Sequence, residues 1–205
     1  EGRRNTDRQT LIAVLNTRKG DPLFSLDPQA AQDLIERISW VEKAFVRRQL
    51  PDTVHIRLME REPMAIYKQD NGPVLIDRHG VVLSDDNLER FDHLPVLSGN
   101  GADQHGQDLL TLIRAEPEIE KRLSQARYVK GRRWRLILKS GKAVELPAGD
   151  VALALRRLAV AQDMRGLLDK DIEAIDVRPE DRMIIRTKPG AVEQYRARYA
   201  GDDKL

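Results

Sequence analysis

Few residues in this sequence have the types and spacing that chemistry needs. Glu60 and Glu62 stand two apart, so both carboxylates fall on one side of an extended chain, where one could give a proton and the other take it. Arg61 lies between them and Pro63 follows, the ordinary setting of solvated carboxylates at a strand end, so the pair reads as structural. Ser84, Ser98 and Ser140 have neither a nucleophile-elbow context nor a neighbouring histidine, which leaves a hydrolase unsupported. Gly99-x-Gly101 with Gly106 departs from the dinucleotide fingerprint, and Lys139-Ser140-Gly141-Lys142 lacks the leading glycine of a phosphate loop; both read as turns. The absence of cysteine excludes a disulfide framework and a thiolate zinc site, and the four histidines are scattered. No catalytic residue, metal ligand or cofactor site can be named, and the expectation is a protein that is not an enzyme.

Binding surfaces are better represented. Lys130-Gly131-Arg132-Arg133-Trp134-Arg135 joins cations to an aromatic ring that could stack on bases or sugars, but alternation along a strand turns Trp134 inward with Leu136. Met183-Ile184-Ile185 is apolar on both faces, whereas a half-buried strand alternates. Two readings stay open: a strand covered on both faces inside a sheet, or an edge strand with one of these side chains exposed, ready to accept a partner strand. Lys+Arg 35 against Asp+Glu 33 nearly cancels within a charged fraction of 33%, so no global field is available to hold nucleic acid.

The elements that must position these residues follow from periodicity. Thr6 with Gln9 has capping-box spacing ahead of a helix to about Asn16, with Leu11, Val14 and Leu15 on one face. Asp27 before Pro28 starts a second helix, along which Ala31, Leu34, Ile35 and Ile38 recur at helical spacing up to Trp40. Ala44–Leu50 and Thr53–Arg61 flank Pro51-Asp52 as a hairpin in which Val54, Ile56 and Leu58 face a core, while Ala44, Val46 and Leu50 share their face with a less expected Arg48. Strands are expected at Met64–Lys68, Val74–Asp77 and Val81–Ser84, with Asn71-Gly72 turning the first pair. A loop through Leu94–Leu97 then leads to a helical region from Asp103 to about Ala126, broken near Pro117. Trp134–Leu138 and Ala143–Leu146 form a second hairpin, and Asp150 caps a helix to about Leu168. Ile172–Arg178 and Met183–Lys188 are the last strands of what reads as an antiparallel sheet with helices against it, an α+β fold. Residues 191–205 read as a short helix and a flexible tail.

The wording of the central stretch is itself informative. Trp40-Val41, Ala44-x-Val46-x-Arg48, Leu50-Pro51-x-Thr53, Glu60-Arg61-x-Pro63-x-Ala65 and Ile76-Asp77-x-x-Gly80 resemble the extracytoplasmic region of the bacterial cell-division family FtsQ/DivIB. The resemblance implies a POTRA-like β-α-α-β-β domain over 1–62, its first strand partly missing at Glu1-Gly2-Arg3. It further implies a larger mixed β-sheet domain with flanking helices over 63–190 and a tail over 191–205. It implies a non-enzymatic scaffold, anchored in the bacterial inner membrane by a single transmembrane helix ahead of Glu1, with this region in the periplasm. The implied partners are FtsB and FtsL at the last strands, and other division proteins at the POTRA domain. Carried onto this sequence, the contact residues are Arg178, Met183, Ile184, Ile185 and Arg186, with Arg132 and Arg133 as a basic pair nearby; Pro179 and Asp181 depart from the enterobacterial pattern. The rival readings are a periplasmic POTRA module that binds β-strand peptides through Ala44–Arg61 in outer-membrane assembly or secretion, and an enzyme acting on cell-wall precursors.

Overall fold

Two aspartates decide where the first helices begin. In the computed structural model, which describes residues 1–16 and 20–187, the carboxylate of Asp7 accepts from the N–H groups of Gln9 and Thr10 and starts α1 (Arg8–Leu15). The cap is therefore Asp7, one residue after the expected Thr6, whose own N–H donates instead to Glu60 at 2.8 Å. Asp27 accepts from Gln29, with Pro28 in the first helical position, and starts α2 (Pro28–Ile35). Both satisfy N-terminal donors that a helix leaves without partners. The second helix stops at Ile35, five residues before Trp40.

The hairpin follows as β1 (Val41–Gln49) and β2 (Thr53–Glu60), antiparallel, with a cis Leu50–Pro51 bond in the turn. Leu11, Ile35, Val41, Ala44 and Leu58 form a small separate core under the two helices. Arg48, the odd member of the inward row, is explained by its guanidinium: Nε and Nη2 both donate to the carbonyl of Leu26, at 3.0 and 2.7 Å.

A nine-stranded mixed sheet makes up the rest. Its strands are β3 (Pro63–Gln69), β4 (Gly72–Asp77), β5 (Val82–Ser84), β6 (Val96–Ser98), β7 (Leu123–Val129), β8 (Arg133–Leu138), β9 (Ala143–Glu145), β10 (Ile172–Asp176) and β11 (Ile184–Thr187). In space they run β11-β10-β9-β8-β7-β6-β3-β4-β5. Three helices accompany them: α3 (Ala102–Arg114), the single turn α4 (Pro117–Glu120) and α5 (Val151–Arg165), which Asp150 caps through Leu153 N–H. One continuous core joins Leu97, Leu109, Ile113, Leu136, Val144, Leu155, Leu158 and Ile175.

Three expectations change. Val96–Ser98 is no loop but a strand between β3 and β7, parallel to both. The helical region ends at Glu120, and Leu123–Ala126, read as helix, opens β7. β10 also runs parallel to β9, so the sheet is mixed, as the family resemblance implied, and not the purely antiparallel sheet read from the strand pattern. For β6 and β9 the reason is shared: a three-residue strand in the middle of a sheet is defined by its neighbours and leaves too short a pattern to read. The expected helix and tail over 191–205 lie outside the described residues.

Candidate partner-binding site at the sheet edge

Among the described residues, β11 is the end strand of the sheet. Its pairing with β10 sets Ile184 opposite Asp176, Ile185 opposite Ile175, and Arg186 opposite Ala174. Beyond it, no further strand pairs among the described residues. Of the two readings of Met183-Ile184-Ile185, the edge is the one observed, and both isoleucines are exposed, Ile184 at 50% and Ile185 at 45%.

Register explains why an apolar residue is found on each face. Leu136, Val144, Ile175 and Ile185 form one cross-strand row, the first three fully buried, so Ile185 continues the core row to the edge. On the opposite face Arg135, Glu145, Asp176 and Ile184 form the next row. Here the charges pair: Arg135 donates through Nε to Glu145, and Arg178 grips Asp176 through Nε at 2.8 and 3.0 Å and through Nη2. The bond from Arg178 holds the Asp176 carboxyl below the usual carboxylate range, against its partial burial; the Arg178 N–H and the charge of Arg133 add to the effect. The same bond raises Arg178. Glu145 takes Arg135 across the β8–β9 pair, whereas Asp176 takes Arg178 two residues along its own segment; neither carboxylate stood out in the sequence as a holder of this basic cluster.

The remaining expected residues fall around this edge. Arg133 opens β8, and its Nε is buried with no hydrogen-bond partner among the described residues. Arg132 is exposed in the turn before it. Met183 lies one residue ahead of β11 and packs partly against the main core. Three contacts fix the connection between β10 and β11: Val177 is buried, Arg157 donates to the carbonyl of Pro179 at 2.8 Å, and Met183 packs inward. Trp134 is buried against Tyr128, with ring centroids 4.8 Å apart, and so cannot stack on a base or sugar.

The other chemical candidates resolve into structure. Glu60 receives the N–H groups of Arg4, Asn5 and Thr6 at 2.8 to 3.1 Å, closing the loop ahead of α1. Gly99 and Gly101 sit in the turn between β6 and α3, but Gly106 lies inside α3, where its bare Cα lets the helix close on Leu97. No group of three or more His, Asp or Glu residues that could hold a metal ion occurs among the described residues.

Comparison with known proteins bears on the same architecture. The FtsQ-type POTRA domain matches residues 1–61, and the C-terminal region of the cell division protein FtsQ/DivIB matches residues 65–178. The chain belongs to the FtsQ/DivIB family of cell-division proteins. The cell division protein FtsQ of Rickettsia felis is 32% identical over 185 residues, 90% of this chain and 69% of that protein. FtsQ of Novosphingobium aromaticivorans is 36% identical over 184 residues, covering 89% of this chain and 57% of the relative. FtsQ of Rhizobium meliloti is 34% identical over 193 residues, 94% of this chain and 62% of the relative. Among solved structures, the major extracytoplasmic domain of the division protein DivIB from Geobacillus stearothermophilus aligns with a TM-score of 0.32 at 15% identity, over 52% of this chain and 95% of that one. Within the family match Arg178 is the final residue, and β11 follows it.

Proposed function

We propose that this FtsQ/DivIB-family chain is a non-enzymatic scaffold of the division machinery that receives the FtsB–FtsL pair by strand addition at β11, linking early and late division proteins during septum formation. In this reading 1–62 is a POTRA domain that meets other division proteins, 63–190 is the receiving β-domain, 191–205 is a tail, and a membrane helix ahead of Glu1 holds the whole in the periplasm. No helix among the described residues is long and apolar enough to cross a membrane. The observation that carries the reading is the edge of β11, left unpaired among the described residues, with an exposed isoleucine on each face.

An added strand would find unpaired main-chain groups along the edge for affinity, and two chemically different faces for selectivity. On the core face it would extend the row ending in Ile185, which calls for an apolar side chain. On the other face it would meet Ile184 beside Arg178 and Arg133, with Arg132 and Arg186 nearby, which favours an acidic residue next to an apolar one. Met183 would support the strand from beneath.

The test is a calorimetric titration with the extracytoplasmic C-terminal segment of FtsB from the same organism. Saturable binding near one to one is expected, with Ile184→Asp and Ile185→Asp each weakening it by about a hundredfold, the scale of a lost interface anchor. Both side chains are exposed, so the variants should melt where the parent does. Unchanged affinity in both would end the proposal.

A further inference from the structure

The direction in which the chain enters the first unit identifies which end of that unit faces whatever precedes it. The amino group of Glu1 donates to the carbonyl of Ile56 at 2.8 Å, and Leu58 N–H donates to the carbonyl of Glu1 at 2.9 Å. These two bonds are a parallel bridge: the first residues run alongside β2 in its own direction, towards Glu60. Gly2 makes the approach possible, since its φ is +83° and a Cβ there would lie 2.1 Å from the carbonyl oxygen of Leu58. Any chain ahead of Glu1 therefore arrives from the Thr53 end of β2, the end that carries the hairpin turn.

That turn end is unusual in what it exposes. Leu50 is 71% exposed and Phe24 73%, in a unit whose own core is small. Arg48 ties them together: its guanidinium lies 5.5 Å from the centroid of the Phe24 ring while it bonds the carbonyl of Leu26, and Leu50 is two residues on. Arg47 is exposed on the opposite face of the hairpin, and further up that face Arg57 covers the half-exposed ring of Phe45 at 5.8 Å. Asp52 is the carboxylate within the turn, bonded by the Thr53 hydroxyl. Protruding apolar side chains ringed by arginines suit the boundary between lipid headgroups and acyl chains: the apolar tips enter, the long cationic side chains reach phosphates, and the aromatic ring sits at headgroup level.

We propose that the hairpin turn of the first unit, Leu50 with Phe24 and the arginines Arg47 and Arg48, is a docking surface for an anionic phospholipid bilayer. This rests on the reading above in which a membrane helix precedes Glu1, because entry from the turn side then brings this end to the bilayer. An acidic peptide would satisfy the arginines alone; the outward Leu50 and Phe24, at the end from which the preceding chain arrives, favour lipid. Docking here would restrict how the scaffold tilts on its anchor and so where β11 is held relative to the membrane.

The chain has no cysteine, so a single introduced thiol reports from one place. The full chain is tethered by an N-terminal histidine tag to nickel-chelating lipid and carries an environment-sensitive dye at Gln49→Cys, the last residue of β1 before the turn, or, as a control, at Asp108→Cys on α3. Vesicles are phosphatidylcholine alone or with about a third phosphatidylglycerol, each with a spin-labelled quencher lipid. The expected result is quenching at Gln49→Cys at least about twofold stronger than at Asp108→Cys in the anionic vesicles. It should fall on adding Phe24→Ser with Leu50→Ser, and weaken with Arg47→Ala or without phosphatidylglycerol. Equal quenching at the two positions, or quenching that survives the double serine variant, overturns the proposal. So does a dye response to free polyglutamate with none to the bilayer, which would make the surface a peptide site. The tether stands in for the natural anchor, so failure here overturns the docking surface alone; the FtsB titration at β11 succeeds or fails separately.

Discussion

Glu60 shows how a residue that looks catalytic becomes structural. Burial pushes its carboxyl up, but the N–H donors of Arg4, Asn5 and Thr6 outweigh that, and the net position is below the usual glutamate range. A carboxylate whose folded pKa is depressed contributes stability above its unfolded pKa, and that contribution is lost as pH falls through the folded value. Glu60→Gln keeps the shape and removes the charge, so it should cost about 1–2 kcal/mol at neutral pH, the worth of charge-assisted bonds at a partly exposed site. The deficit should shrink in urea melts as pH is lowered through the carboxylate range; a pH-independent deficit would show that the charge is not what binds the loop. The sequence placed Glu60 at a strand end and dismissed it as catalytic. It could not show the donors, which lie 54 to 56 residues earlier in the chain.

Among the elements, the turn from β6 into α3 is the most tightly specified. Gly99 has a φ of +97°, and a Cβ there would stand 2.2 Å from the carbonyl oxygen of Tyr128 on the neighbouring β7. Backbone, not a flexible side chain, is the obstacle, so Gly99→Ala should destabilise by about 2–4 kcal/mol, combining left-handed strain with the clash. Its partner Gly106 faces the side-chain tips of Leu97 and Met64, and the closer, Leu97, can turn aside, so Gly106→Ala should cost clearly less. Chemical denaturation of the two variants side by side checks the order, and equal costs would contradict it. At this scale the helix starts at Asp27 and Asp150, the Asn71-Gly72 hairpin and the buried row Trp134, Leu136, Leu138 were legible, because each is a local pattern. β6 was not, because its strand character comes from parallel neighbours distant in sequence; nor was the start of β7, which pairs with the far end of β8 and with β6.

Across the whole molecule the two cores are joined by polar and aromatic contacts. Arg61 follows β2 and bonds Asp77 at the end of β4 at 2.8 Å, while Asp77, only 2% exposed, also receives the N–H groups of His79 and Val81. Arg78 reaches back to Glu42 at 2.8 Å, and Trp40 lies 6.2 Å from Phe91 between ring centroids. Asp77→Ala would leave Arg61 largely buried without its partner and free two N–H groups, so a loss of about 3–5 kcal/mol is expected. Limited proteolysis near residues 61–63 should accelerate in step with it; melting and cleavage unchanged from the parent would show that the bridge does not hold the units together. The sequence by itself determined the α+β class, the two-helix-plus-hairpin unit, the second hairpin and the apolar character of the last strand, because periodicity, caps and turn residues act within a few positions. Only the tertiary structure decided that β11 ends the sheet among the described residues, that Ile184 and Ile185 are both exposed there, and that Glu145 holds Arg135 from the neighbouring strand. Strand order and register are set by packing between distant segments, and a residue's exposure depends on which neighbours those segments supply.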